Sequence, residues 1–184
     1  MGHSNRTLCL VVVSLAVGAF APPRCSAQTR GTVALSLAGG AHFPASRAYC
    51  APYWCSRGPQ TNAVVVGGRV TAWVNQRIGI DASLRYTPGR PTHDLVAASV
   101  GMQWRLVGGL DSWAYVVGGP AFISNQDGGN VDVGVGGVVG GGAHVRVARR
   151  LAIRAEFDGF VTSQRYGTQW DPFLSLGLSI AVAP

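Results

Sequence analysis

The chain has 184 residues; 47% are hydrophobic, only 12% are charged, and its 15 basic residues are all arginine, set against 8 acids. The arginines are spread along the sequence with no recognition motif beside them, which argues against a nucleic-acid binder. Beyond the N-terminal stretch, no segment is long and apolar enough to cross a membrane as a helix.

The first element is a leader. MGHSNRT is a weakly basic head, Leu8 to Ala21 is an apolar run, and PPRCSAQ is a small-residue exit, so residues 1–27 are expected to be a secretory signal peptide cleaved after Ala27. The apolar run is too short to span a bilayer comfortably, and Pro22 and Pro23 end it. Cys9 and Cys25 leave with it, and Pro22, Pro23 and Arg24 do not form a lipoprotein box. Arg6 and Arg24 leave too, so residues 28–184, one expected domain, keep 13 arginines against 8 acids, a formal +5.

No sustained 3.6-residue apolar period appears in that domain, and the 26 glycines of the chain are spread through the would-be elements, so an all-β chain is expected. Alternation marks eight runs, the first two at 32–43 and 61–74. Between them lies YCAPYWCS, where Cys50 and Cys55 are close enough to close a small disulfide loop in an oxidising compartment; two cysteines alone make a poor zinc site. The third run, 78–87, sets Ile78, Ile80, Ala82, Leu84 and Tyr86 against Asp81, Ser83 and Arg85. The others are 94–106, 112–123, 131–147, 151–161 and 172–182. Most span ten to fourteen residues. Ordinary globular strands centre on about five or six, whereas a strand tilted across a bilayer needs roughly nine to eleven.

Short links (75–77, 107–111, 148–150) alternate strictly with longer ones (44–60, 88–93, 124–130, 163–171). An up-and-down barrel has this pattern when tight turns line one rim and variable loops the other. Aromatics fall in two bands, Trp73, Trp104, Trp113 and Tyr115 near the short turns and Phe43, Tyr86, Phe122, Phe160 and Phe173 near the other end, as girdles at two membrane interfaces would. By parity, however, Trp73 and Phe173 share the polar face.

That polar face collects Ser36, Arg69, Thr71, Asp81, Ser83, Arg85, Ser99, Gln103, Arg105, Asp132, His144, Arg146, Arg154, Glu156, Asp158, Ser175 and Ser179. The opposite face is almost wholly apolar. Placed on the solvent side of a soluble sandwich, the polar set makes a thin water-facing surface. Turned inward in a closed barrel, its arginines and acids nearly balance, and away from water they must pair. Folding 131–147 onto 151–161 about Ala148 to Arg150 sets His144 opposite Arg154 and Gly142 opposite Glu156, and the glycines of 131–147 leave room for long charged side chains.

The pattern resembles the small eight-stranded bacterial outer-membrane barrels of the OmpA, OmpX and opacity-protein type over essentially the whole domain. Its most specific piece is SLGLSIAV, where Ser175, Gly177, Ile180 and Val182 look like the C-terminal signal read by the barrel-assembly machinery. Family members usually finish on Phe or Trp, and this chain finishes Ala183, Pro184. The resemblance implies an eight-stranded antiparallel up-and-down barrel in outer-membrane lipid, without cofactor, with a structural or surface-interaction role and a plugged interior. Tyr49, Cys50, Tyr53, Trp54 and Cys55 are the expected surface contacts, aromatics pinned by the disulfide.

Enzyme chemistry is not expected. His144 lacks a nearby serine, His42 and His93 lie at loop bases on different strands, and the glycine runs carry no following Lys and Ser or Thr. Two alternatives stay open: a narrow porin-like channel, and a secreted lipocalin-like barrel with its apolar face inside.

Overall fold

The structure is a computed structural model of the chain, and it describes residues 31–43, 48–51, 54–57, 62–88, 93–109, 111–127, 130–164 and 167–182. The strands are β1 (Val33–His42), β2 (Ala48–Ala51), β3 (Trp54–Arg57), β4 (Ala63–Trp73), β5 (Ile78–Thr87), β6 (His93–Gly108), β7 (Ser112–Asp127), β8 (Asn130–Arg146), β9 (Leu151–Gln164) and β10 (Gly167–Val182). Eight of them close an antiparallel barrel in the order β1-β10-β9-β8-β7-β6-β5-β4, and β4 pairs back onto β1. Each strand has a neighbour on both sides, so the sheet has no open edge and its backbone groups pair internally, the condition for a sheet to sit in hydrocarbon.

All eight expected runs are barrel strands. The expected links at 124–130 and 163–171 are largely strand as well: β7 and β8 stay paired out to Asp127 and Asn130, and β9 and β10 out to Gln164 and Gly167. These extensions are polar (Ser124, Asn125, Gln126, Ser163), and a hydrogen-bond ladder continues past the point where apolar alternation stops. A further hairpin, β2 with β3, lies within the expected long link at 44–60.

The short-turn rim is built by local chemistry. In the β4–β5 turn, Asn75 Oδ1 accepts from the backbone N–H of Arg77 and of Ile78, each at 2.8 Å. At the end of β6, Gly108 has φ 118°, and a Cβ there would lie 2.2 Å from the Ser112 carbonyl oxygen, so this turn requires glycine. A register shift between Arg105 and Val107 leaves both Leu106 and Val107 facing out.

Parity decides the rest. On β9, Arg154, Glu156, Asp158, Phe160 and Thr162 are buried while Ile153, Phe157 and Val161 are exposed. The same inversion runs round the barrel, from Leu35 and Leu37 on β1 to Leu176, Leu178 and Ile180 on β10, all outward.

Candidate functional site: the barrel interior

Three layers fill the lumen. The middle one joins three arginines to three acids. Arg69 on β4 reaches Asp81 at 2.9 Å, Glu156 at 2.9 Å and Asp158 at 2.5 Å. Arg85 on β5 pairs with Asp158 and donates to Ser175 Oγ at 3.3 Å. Arg154 on β9 donates to Tyr115 Oη at 2.7 Å and to Gln103 Oε1 at 3.0 Å, and its guanidinium lies 4.5 Å from the Tyr115 ring centroid. Thr71 donates to the second oxygen of Asp81 at 2.9 Å. Each arginine therefore faces acids or acceptors from several strands, which is what lets buried charges persist in a low-dielectric interior.

The β8 glycines make this fit. Strands β8 and β9 pair with His144 opposite Arg154, Gly142 opposite Glu156 and Gly140 opposite Asp158. A Cβ on Gly140 would lie 2.0 Å from Asp158 Oδ1, and one on Gly142 would lie 2.6 Å from Tyr115 Oη.

Arg105, His144 and Arg146 stand in a second layer at the short-turn rim. Arg105 lies over the Trp73 and Trp113 rings, 4.8 and 4.2 Å from their centroids, and His144 stacks on Trp113 at 3.8 Å. Arg146 pairs with Asp111 at 3.0 Å. Position near the short turns suggests an outer girdle for Trp113 and Tyr115, but both are buried inside; β7 turns its odd-numbered residues inward, so its inner wall is Trp113, Tyr115, Val117, Ala121 and Ile123. Phe160 is likewise internal. Trp104, Tyr86, Phe122 and Phe43 do face out.

The third layer lies toward the opposite rim. Val65, Leu95, Ala97, Ala121, Ile123, Val138, Phe160 and Phe173 form an apolar cluster. Above it His42 stacks on Phe173 at 4.4 Å and meets Asp171 at 3.1 Å. Sequence parity missed this cluster because its members come from six strands whose inner faces mix polar and apolar residues. Between the middle layer and this plug, Ser36, Arg69, Ser83, Arg85 and Ser175 line a cavity of about 10 Å³.

Of the other expected residues, Ser175 and Gly177 point inward and Ile180 and Val182 outward, while Asp132 is half-buried. The β2–β3 register sets Cys50 opposite Cys55 and places Tyr49 and Trp54 on that hairpin. Tyr53, the leader and the side chains of 48–57 lie outside the described residues.

No protein-family model matches the chain, and no characterised protein sequence matches it. Solved structures do. The outer-membrane protein AlkL, solved in DMPC bilayers, superposes with TM-score 0.57 at 13% identity, covering 89% of this chain and 96% of that one. The N-terminal β-barrel domain of Pseudomonas aeruginosa OprF gives 0.54 at 16% identity, covering 83% and 100%. This is the fold of the small outer-membrane barrels. Neisserial surface protein A shares it, with TM-score 0.52 at 14% identity over 83% of this chain and 97% of that one. On a transmembrane barrel the exposed valines, leucines and isoleucines are the lipid-facing belt, and the three internal layers occupy the axis.

Proposed function

We propose that residues 28–184 are an outer-membrane barrel that acts as an envelope structural element and surface-interaction scaffold rather than as a pore or an enzyme, delivered by cleavage of residues 1–27. The observation that carries this reading is the packed lumen: ion pairs, aromatic stack and apolar plug follow one another along the axis, and the cavity between them, about 10 Å³, is too small for a hydrated solute. A lipocalin-like ligand site would need the apolar face inside, the reverse of the arrangement around Arg69 and Leu37.

Outer-membrane lipid is the partner of the belt, and the barrel-assembly machinery is the partner of Ser175, Gly177, Ile180 and Val182. The β2–β3 hairpin, with Tyr49, Tyr53 and Trp54 pinned by a Cys50–Cys55 disulfide, is the contact element on the far rim. The register of Cys50 opposite Cys55 supports that pairing. The test is extraction and mobility: the chain leaves the envelope fraction only with detergent, runs with altered gel mobility on heating, and gives no discrete conductance in planar bilayers. A water-soluble compact chain, or stepwise conductance, refutes the reading. Scrambling 49–55 is expected to abolish surface binding and leave the heat-dependent mobility intact.

A further inference from the structure

We propose that the short-turn rim is a basic collar that docks onto anionic phospholipid headgroups of the leaflet it meets, an inference resting on the reading that the barrel spans a bilayer. Arg77 in the β4–β5 turn and Arg149 and Arg150 in the β8–β9 turn are exposed, and Arg105 and Arg146 stand just behind them. Among the described residues the acid of this rim is Asp111, paired with Arg146. The middle layer matches three arginines with three acids, and the opposite rim carries Asp94, Asp132 and Asp171. Among the described side chains, positive charge is thus concentrated at one end, although the arginines are scattered in sequence.

The strand order decides the kind of partner. Going round the barrel, the β8–β9 turn and the β4–β5 turn lie on opposite sides. Arginines so placed cannot converge on one small anion, but they can all reach a plane that surrounds the barrel. The turns are held in place: Arg105 N–H donates to the Arg77 carbonyl at 2.8 Å, and Ala181 N–H to the Arg150 carbonyl at 2.9 Å. Immediately inward from them, Val74, Trp104, Leu106, Val107, Val147 and Val182 face out as the edge of the apolar belt. Guanidinium groups one turn beyond that edge sit at headgroup depth, where phosphate oxygens accept their paired N–H donors.

The experiment uses the full chain refolded in phosphatidylcholine bilayers, with spin-labelled phosphatidylglycerol and phosphatidylcholine as probes of the lipid shell. Phosphatidylglycerol is expected to associate more strongly by about fivefold, the preference of one interfacial arginine. The preference falls to parity in the Arg77→Gln, Arg149→Gln, Arg150→Gln triple variant, survives the corresponding Lys triple variant, and is lost by the unaltered protein in about 1 M salt. Equal association in the unaltered protein, or a preference that persists in the Gln variant, overturns the proposal. So does displacement by soluble glycerol phosphate, which would mark a discrete phosphate site. Heat-dependent mobility reports insertion separately: an inserted barrel without headgroup preference sinks this inference alone, and a chain that fails to insert sinks both.

Discussion

Asp158 is fully buried under two guanidinium groups, those of Arg69 and Arg85, and it anchors three strands to one carboxylate. Removing it leaves both cations short of a counter-charge in the lumen. Asp158→Ala is therefore expected to destabilise the folded barrel by about 3–5 kcal/mol, read from urea unfolding in lipid. Arg146→Ala breaks a pair nearer the rim and is expected to cost under about 1 kcal/mol in the same assay. The inner glycines give a sharper contrast. A Cβ at Gly140 meets Asp158 Oδ1 at 2.0 Å and the Phe157 carbonyl oxygen at 2.7 Å, whereas at outward Gly137 the nearest atom is 3.5 Å away. Gly140→Ala is expected to cost about 1–3 kcal/mol, and Gly137→Ala to stay within about 0.5 kcal/mol. Parity was enough to place Arg69, Arg85, Arg154 and their acids on one face. It could not tell that Arg105 would rest on Trp73 and Trp113 instead of joining those acids, because that choice depends on where along the axis each strand sets its residue.

Strands carry the next level of argument, since a two-residue period sends every second side chain into lipid. Leu37 is 76% exposed at mid-strand, opposite Leu178, while Val147 closes the rim of β8. The same change at the two sites separates depth from chemistry: Leu37→Arg should cost about 2–4 kcal/mol and Val147→Arg about 0–1 kcal/mol, both from unfolding free energies in bilayers. Run lengths were legible where Val, Leu and Ile alternate with polar residues. The outer ends of β7, β9 and β10 were not; the β7 ladder, for one, continues through Ser124, Asn125 and Gln126, where nothing apolar marks a face. The inward turn of Trp113 and Tyr115 was not legible, because the run 112–123 is apolar at both parities and no polar residue marks its inner face.

Across the whole molecule, the lumen ties together strands that are not neighbours in the sheet: β4 and β9 through Arg69 and Asp158, β6 and β9 through Gln103 and Arg154, β7 and β9 through Tyr115 and Arg154, β5 and β10 through Arg85 and Ser175. Such cross-bracing couples the hairpins of the barrel to one another. Tryptophan fluorescence and circular dichroism are expected to report coincident unfolding midpoints, and separated midpoints would show that the layers come apart independently. Eight strands and closure were readable from the count and alternation of the runs. The grouping of Arg77, Arg105, Arg146, Arg149 and Arg150 at one end is invisible along the linear sequence and emerges once the short links 75–77, 107–111 and 148–150 are set on a common rim.

The seam between β1 and β10 is zipped in register, with Val33 facing Val182 and His42 facing Phe173, and it is as complete as the junction of β1 with β4. The cylinder therefore has no privileged starting point. A circular permutant that bridges 182 to 33 with a short peptide and opens the chain between 88 and 93 would keep every neighbour relation. It should fold to the same cylinder with its new ends on the opposite side of the membrane.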